Sequence, residues 1–235
     1  MAGRGKRYLD CLKLVDRMEI YPPEEALDLA KKVAFVRFDE TLELHLRTAL
    51  DPRRSDQQVR GITLLPHGRG KKIRIVCLTQ GEGIKIAQDA GADYVGGDEL
   101  IQKIEGGWLE FDATIATPDI MGKVARLGKI LGRRGLMPNP KTETVVPPPD
   151  LPRVISDLRK GRVEFRLDRT GIIHLPVGKL SFDKNKLLEN LKAAVDSVIK
   201  ARPSGAKGQY IRSSFISSSM GPGIKIDLKP LLGTE

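Results

Sequence analysis

The sequence predicts an α/β protein: an α+β unit with an antiparallel sheet, interrupted by an inserted α/β unit on a mainly parallel sheet. Three observations carry this expectation. Apolar residues recur at every second position near both ends of the chain, strands alternate with helices in its middle, and glycines stand at both crossings between these styles. At 235 residues the chain can hold one large domain or two smaller ones, each able to bury a core.

The elements follow in order. A helix is expected near Tyr8 to Met18, and a second opens at Pro22-Pro23, where prolines and the carboxylates Glu24 and Glu25 suit a helix N-terminus. In Thr41-Leu42-Glu43-Leu44-His45-Leu46-Arg47 the leucines face one way and the polar residues the other, the pattern of a half-buried strand. The turn Asp51 to Ser55-Asp56 leads to a second apolar run, Val59 to Leu65.

The middle reads as strand Ile73–Leu78, helix Glu82–Ala90, short strand Asp93-Tyr94-Val95, helix Asp98–Glu105, strand Ala113–Ala116 and a helix opened by Pro118. Strands alternating with helices argue for βαβ units with right-handed crossovers. After Gly161, Val163, Phe165 and Leu167 alternate with charged residues. Asp168-Arg169-Thr170-Gly171 reads as a hairpin turn and Ile172–Val177 as its return strand. An amphipathic helix is expected over Lys184 to Ala201, then strands Tyr210–Ile216 and Ile224–Leu228 around a Ser/Met/Gly/Pro segment.

Residues 1–67 and 161–235 are therefore expected to form one discontinuous unit, and 68–160 the insertion. Gly68, Gly70 and Gly161 at the two crossings suit a hinge.

Composition excludes several classes. No apolar run approaches the ~20 residues needed to span a bilayer, and the basic start Met1 to Arg7 runs into Tyr8-Leu9-Asp10-Cys11, not into an apolar segment of signal type. A cytoplasmic protein with no membrane partner is expected. Cys11 and Cys77 lack metal-ligand spacing and read as small buried hydrophobes. Three histidines are too few for much metal or acid/base chemistry; His45, His67 and His174 read as surface or structural residues. Gly122 and Gly128-Lys129 miss the P-loop spacing, with Ile130 where a hydroxyl must hold magnesium. Gly81-Glu82-Gly83 resembles a dinucleotide turn, yet Ile86 takes the third glycine position and an acid stands where a pyrophosphate would sit. No cofactor, metal or catalytic residue is expected.

The net charge of +10 favours a polyanionic partner. Residues 1–67 contribute +1, residues 68–159 +2 and residues 160–235 +7, so the excess lies in the last third. There Ser217-Ser218-Ser219-Met220-Gly221-Pro222 combines hydroxyls able to meet ribose 2′-hydroxyls with a glycine that permits close backbone approach and an adaptable apolar methionine. Arg162, Arg166, Lys225 and Lys229 are expected nearby, and the loop Leu131 to Pro140, with Arg133 and Arg134, is either a further candidate phosphate contact or an ordinary rigid solvent loop. Aromatic residues are only 5% of the chain, which argues against base stacking on a sheet. The expectation is an RNA-binding protein without catalysis. The rivals are an α/β enzyme using the middle unit for a nucleotide or sugar phosphate, and a stand-alone mRNA regulator.

Six stretches then resemble one family, the universal L-one ribosomal proteins of the large subunit, in bacterial form. They are Arg37-Phe38-Asp39-Glu40-Thr41, Asp51 to Gln57, Leu65-Pro66-His67-Gly68, Gly91 to Gly97, Gly135 to Pro140, and Ser219-Met220-Gly221-Pro222. The resemblance implies a split RNA-binding domain with an inserted Rossmann-like domain on a two-strand hinge, in a protein that is monomeric when free. It implies binding to large-subunit rRNA in the mobile stalk, assistance to release of exit-site tRNA, and repression of its own operon mRNA. The rRNA surface carried over comprises Phe38, Glu40, Thr41, Asp168, Thr170, Ser213, Ser219, Met220 and Gly221. The chain departs from the family pattern at Ser219, where threonine is usual, and at Arg133, where proline is usual. Ser219 keeps the hydroxyl but loses the β-branch.

Overall fold

The computed structural model describes residues 5–206 and 208–232; Met1 to Arg4 of the basic start lie outside them. Along the chain run α1 (Lys6–Lys13), α2 (Pro23–Lys32), β1 (Thr41–Thr48), β2 (Arg60–Leu64), β3 (Ile75–Leu78), α3 (Glu82–Asp89), β4 (Tyr94–Gly96), α4 (Asp98–Glu105) and β5 (Ala113–Ala116). Then come α5 (Met121–Val124), α6 (Gly128–Arg134), α7 (Leu151–Lys160), β6 (Arg162–Arg166), β7 (Ile172–Lys179), α8 (Lys184–Lys200), β8 (Ile211–Ser218), β9 (Ile224–Lys225) and α9 (Lys229–Leu232). The chain is of the mixed α/β class and divides into two units, one up to Gly70 together with Gly161 onward, the other Lys71–Lys160.

The discontinuous unit holds an antiparallel sheet in the order β7-β1-β8-β9 and a two-stranded sheet β2-β6. Alternation decides which face is buried: Leu42, Leu44 and Leu46 of β1 are fully buried, with Ile173, Leu175 and Val177 of β7 and Ile216 of β8 beside them. α8 supplies Leu187, Leu191, Val195 and Val198 to this core, and α2 supplies Ala26, Leu27 and Ala30. The opposite face of the sheet is open.

The inserted unit has a parallel sheet in the order β4-β3-β5. Ile75 and Cys77 of β3 face a core made with α3 and α7, while Val76 and Leu78 face another made with α4, α5 and α6. A parallel sheet covered on both faces explains why this segment reads as apolar runs and not as alternation.

Four expectations need correction. The first helix stops at Lys13 instead of continuing to Met18, and beyond it Asp16 turns the chain by accepting the Met18 amide at 2.8 Å. The residues after Pro118 form a helical path broken by 3₁₀ turns, and α6 ends at Gly135 in the left-handed conformation, so Leu131 to Arg134 are helix and not loop. The turn at Asp168 forms, but β6 and β7 are joined by a single bridge, Leu167 to Ile173; β6 pairs with β2 and β7 with β1. Finally, β8 extends to Ser218, so Ser217 and Ser218 belong to a strand. Burial also separates the cysteines: Cys77 is buried and its thiol is pushed up to about 12, whereas Cys11 is only partly buried.

Candidate nucleic-acid interface

The open face of the four-stranded sheet is lined by Thr41, Glu43, His45 and Arg47 of β1, which pair across with Ser217, Phe215 and Ser213 of β8 and with Lys179 and His174 of β7. At one end of this face β1 begins and β8 finishes, since the two strands are antiparallel. Thr41 N donates to Ser219 Oγ at 3.2 Å, and the Ser219 hydroxyl reaches Thr41 O at 3.4 Å. The Met220 amide donates to Glu40 Oε1 at 2.9 Å. Gly221 N donates to Ser218 O, and a Cβ on Gly221 would lie 2.5 Å from Ser218 Oγ, so glycine lets the loop close against the strand.

The side chains of this loop divide by role. Glu40 is 2% exposed, so it supports the loop from below and does not form its surface. Phe38 and Met220 are 57% and 51% exposed, two large apolar groups presented to solvent by the segments that flank β1 and β8. Asp39 is tied by the Ser181 hydroxyl, and Lys179 Nζ donates to Asp39 O and Thr41 Oγ1, both at 3.0 Å.

At the other end stands the Asp168–Gly171 turn. Asp168 accepts from the Thr170 amide and hydroxyl and from the Ile172 amide, and Thr48 closes the turn by donating to Gly171 O. Burial acts to raise the Asp168 carboxyl, but these hydrogen bonds and one from His174 outweigh it and hold it at about 2. Ser213 pairs with Arg47 at the same end.

Between the ends runs a polar relay. His174 Nε2 lies 3.5 Å from Asp168 Oδ2, His174 Nδ1 lies 2.7 Å from His45 Nδ1, and His45 Nε2 lies 2.9 Å from Ser217 Oγ. Ionised Asp168 can only accept. With both rings neutral the donors therefore run one way, from Ser217 through His45 and His174 to Asp168. Burial, then the neighbouring His174, lowers the His45 pKa, against the pull of Glu43 at 4.0 Å.

The structure thus places Phe38, Glu40, Thr41, Ser219, Met220 and Gly221 together, and Asp168, Thr170 and Ser213 together roughly 20 Å further along β1 at strand rise. Sequence reasoning missed the His45–His174 pair that spans the gap. The period-two pattern placed each histidine on a polar face, but the pairing of β1 with β7 decides that they meet. Arg162 is not available to this face, being 7% exposed within the β2-β6 sheet.

The crossing glycines lie against the first unit. Gly68, Gly70 and Gly161 have φ of 69°, 72° and 110°, and a Cβ on Gly161 would lie 2.4 Å from Gly68 Cα. Buried Asn190 holds this region: it accepts from His67 N and donates to Gly68 O and Val177 O. No group of three or more His, Cys, Asp or Glu among the described residues could hold a metal ion, and no described helix is long and apolar enough to cross a membrane.

Comparison with known proteins places these features in a family. The profile of the ribosomal protein L1p/L10e family matches residues 30–222. The large ribosomal subunit protein uL1 of Dehalococcoides mccartyi (strain 195) is 56% identical over 97% of both chains. The protein of the same name from Thermomicrobium roseum is 57% identical over 97% of this chain and 95% of its own.

Proposed function

Because the chain belongs to the ribosomal protein L1p/L10e family, we propose that it is a structural component of the large subunit in the cytoplasmic ribosome, binding 23S rRNA of the mobile stalk through the open sheet face. The family is one of ribosomal proteins, and the chain is not an enzyme. The observation that carries the reading is the loop at Ser219 to Gly221. Its backbone is held by Thr41 and buried Glu40 while Met220 and neighbouring Phe38 are left exposed, which is the state of a preorganised contact. Ribose hydroxyls can pair with Thr41, Ser219, Thr170 and Ser213, and Phe38 and Met220 can cover sugar or base faces.

In this reading the unit formed by 1–67 and 161–235 is the RNA-binding domain. The Rossmann-like insertion 68–160 is carried on a hinge at Gly68, Gly70 and Gly161 and assists release of exit-site tRNA. The same face binds the chain's own operon mRNA as a repressor, and the free protein is a monomer. A large-subunit stalk fragment should bind in a salt-sensitive manner and the operon leader should compete for it. Footprints on both RNAs with the full chain test this; equal affinity for a random hairpin of the same length would sink it.

A further inference from the structure

Beyond Ser213 the sheet runs out into a cavity of about 470 Å³. It opens where β9 stops pairing after Lys225, and it is bounded by the start of β8, the end of α8 and the segment entering α9. Its apolar wall includes Ile199, Ile211, Ile226 and Leu228. Arg202, Arg212, Lys225 and Lys229 also line it, against one carboxylate, Asp227. Tyr210 lines it as well. That residue is 7% exposed and its hydroxyl oxygen is buried, so other atoms of Tyr210 meet the cavity. Arg202 lies 6.0 Å from the centroid of the Tyr210 ring and is itself anchored to Ala206 O and Gly208 O. A second cavity of about 390 Å³ shares Gln209 and Tyr210 but sets Arg54 against Asp56, so it has no excess charge.

We propose that the 470 Å³ cavity takes a single nucleotide of the bound RNA, its base against the apolar wall and its phosphate on Arg212, Lys225 and Lys229. This rests on the RNA reading of the open face, because Ser213 belongs to both. A nucleotide unites the two properties of the cavity: a flat body for the apolar wall and an anionic end for the cations. An acidic peptide would use the cations but leave the apolar wall without a partner.

The experiment is an amide NMR titration of the full chain at low salt with 5′-AMP, 5′-UMP and inorganic phosphate. The nucleotides are expected to shift Tyr210, Ile211 and Ile226, with phosphate alone at least about ten-fold weaker. Arg212→Ala should weaken nucleotide binding by about five-fold or more, the scale of one hydrogen bond to a charged group, while Lys103→Ala, an exposed cation of the inserted unit, should leave it unchanged. The proposal is overturned if phosphate binds as well as the nucleotides, if the shifts fall elsewhere, or if an oligoglutamate peptide occupies the cavity while the nucleotides do not. If the nucleotides fail but the rRNA fragment binds in a Met220-dependent way, the cavity proposal falls and the RNA reading stands. The reverse result leaves a nucleotide site and removes the RNA reading.

Discussion

His45 Nδ1 and His174 Nδ1 face each other at 2.7 Å across the open pair β1 and β7, so one of the two nitrogens must be unprotonated. A second proton would set two N–H donors against each other and break the relay from Ser217 to Asp168.

A pH dependence follows from this contact. The folded-state pKa of His45 lies below 6.5, so the folded chain binds fewer protons than the unfolded one as pH falls. Its contribution is complete above that value and is lost as pH drops through the lowered pKa. Asp168 repeats the pattern lower down: its contribution is present above 3.8 and is lost as pH falls toward about 2. Melting temperature measured from about pH 8 to about pH 5 should decline, and His45→Gln should flatten that slope. An unchanged slope in the variant would clear the pair of responsibility.

Phe38→Ala and Met220→Ala should each weaken binding of an rRNA stalk fragment by ~1–3 kcal/mol. Both side chains are more than half exposed, so stability should change by less than about 0.5 kcal/mol. Filter binding paired with urea unfolding checks both halves. Wild-type affinity in folded variants removes these residues from the interface.

Glu40 tests whether the loop must be held from beneath. Glu40→Ala leaves the Met220 amide without its carboxylate acceptor and should cost about 1–3 kcal/mol of stability. RNA affinity should fall as well, although Glu40 is buried, because the Met220 side chain loses its fixed position. Glu40→Gln keeps an oxygen at that place and should recover most of the affinity.

Asn190 and Gly161 test the crossing region. Asn190→Ala leaves three backbone partners unmet, at His67, Gly68 and Val177, and should destabilise the discontinuous unit by about 2–4 kcal/mol. Gly161→Ala combines a φ of 110° with a Cβ placed 2.4 Å from Gly68 Cα, and should cost at least as much, about 2 kcal/mol or more. Thermal unfolding of each variant reads the loss directly, and a shift under one degree in either would contradict the account.

Local pattern made much of this chain legible. The leucines of β1 at spacing two, the prolines and acids that open α2, and the strand–helix alternation from Ile75 to Ala116 each follow from contacts within a few residues. Two of the six stretches that resemble the ribosomal family contain Phe38 and the exposed loop at Met220, local turn residues marked Asp168 to Gly171, and the +7 charge of the last third pointed to a polyanion.

Errors came where a distant partner decides the outcome. Whether β7 turns back on β6 or crosses to β1 cannot be seen in the turn residues, because Asp168 to Gly171 forms the same hydrogen bonds in either case. Glu40 looks like a surface carboxylate until the chain returns at Met220 and covers it. Arg162 occupies a polar position of its strand, yet it is buried in the two-stranded sheet.

The sequence by itself determined the class of fold, the polar and apolar faces of β1, and the basic charge of the last third. These depend on periodicity and charge, which are properties of neighbouring residues. Only the tertiary structure decided that His45 meets His174, that Ser217 joins them, and that Arg202, Arg212, Lys225 and Lys229 gather round one cavity. Those meetings join residues 129 and 172 positions apart, and strand register, which no local signal encodes, brings them within hydrogen-bond reach.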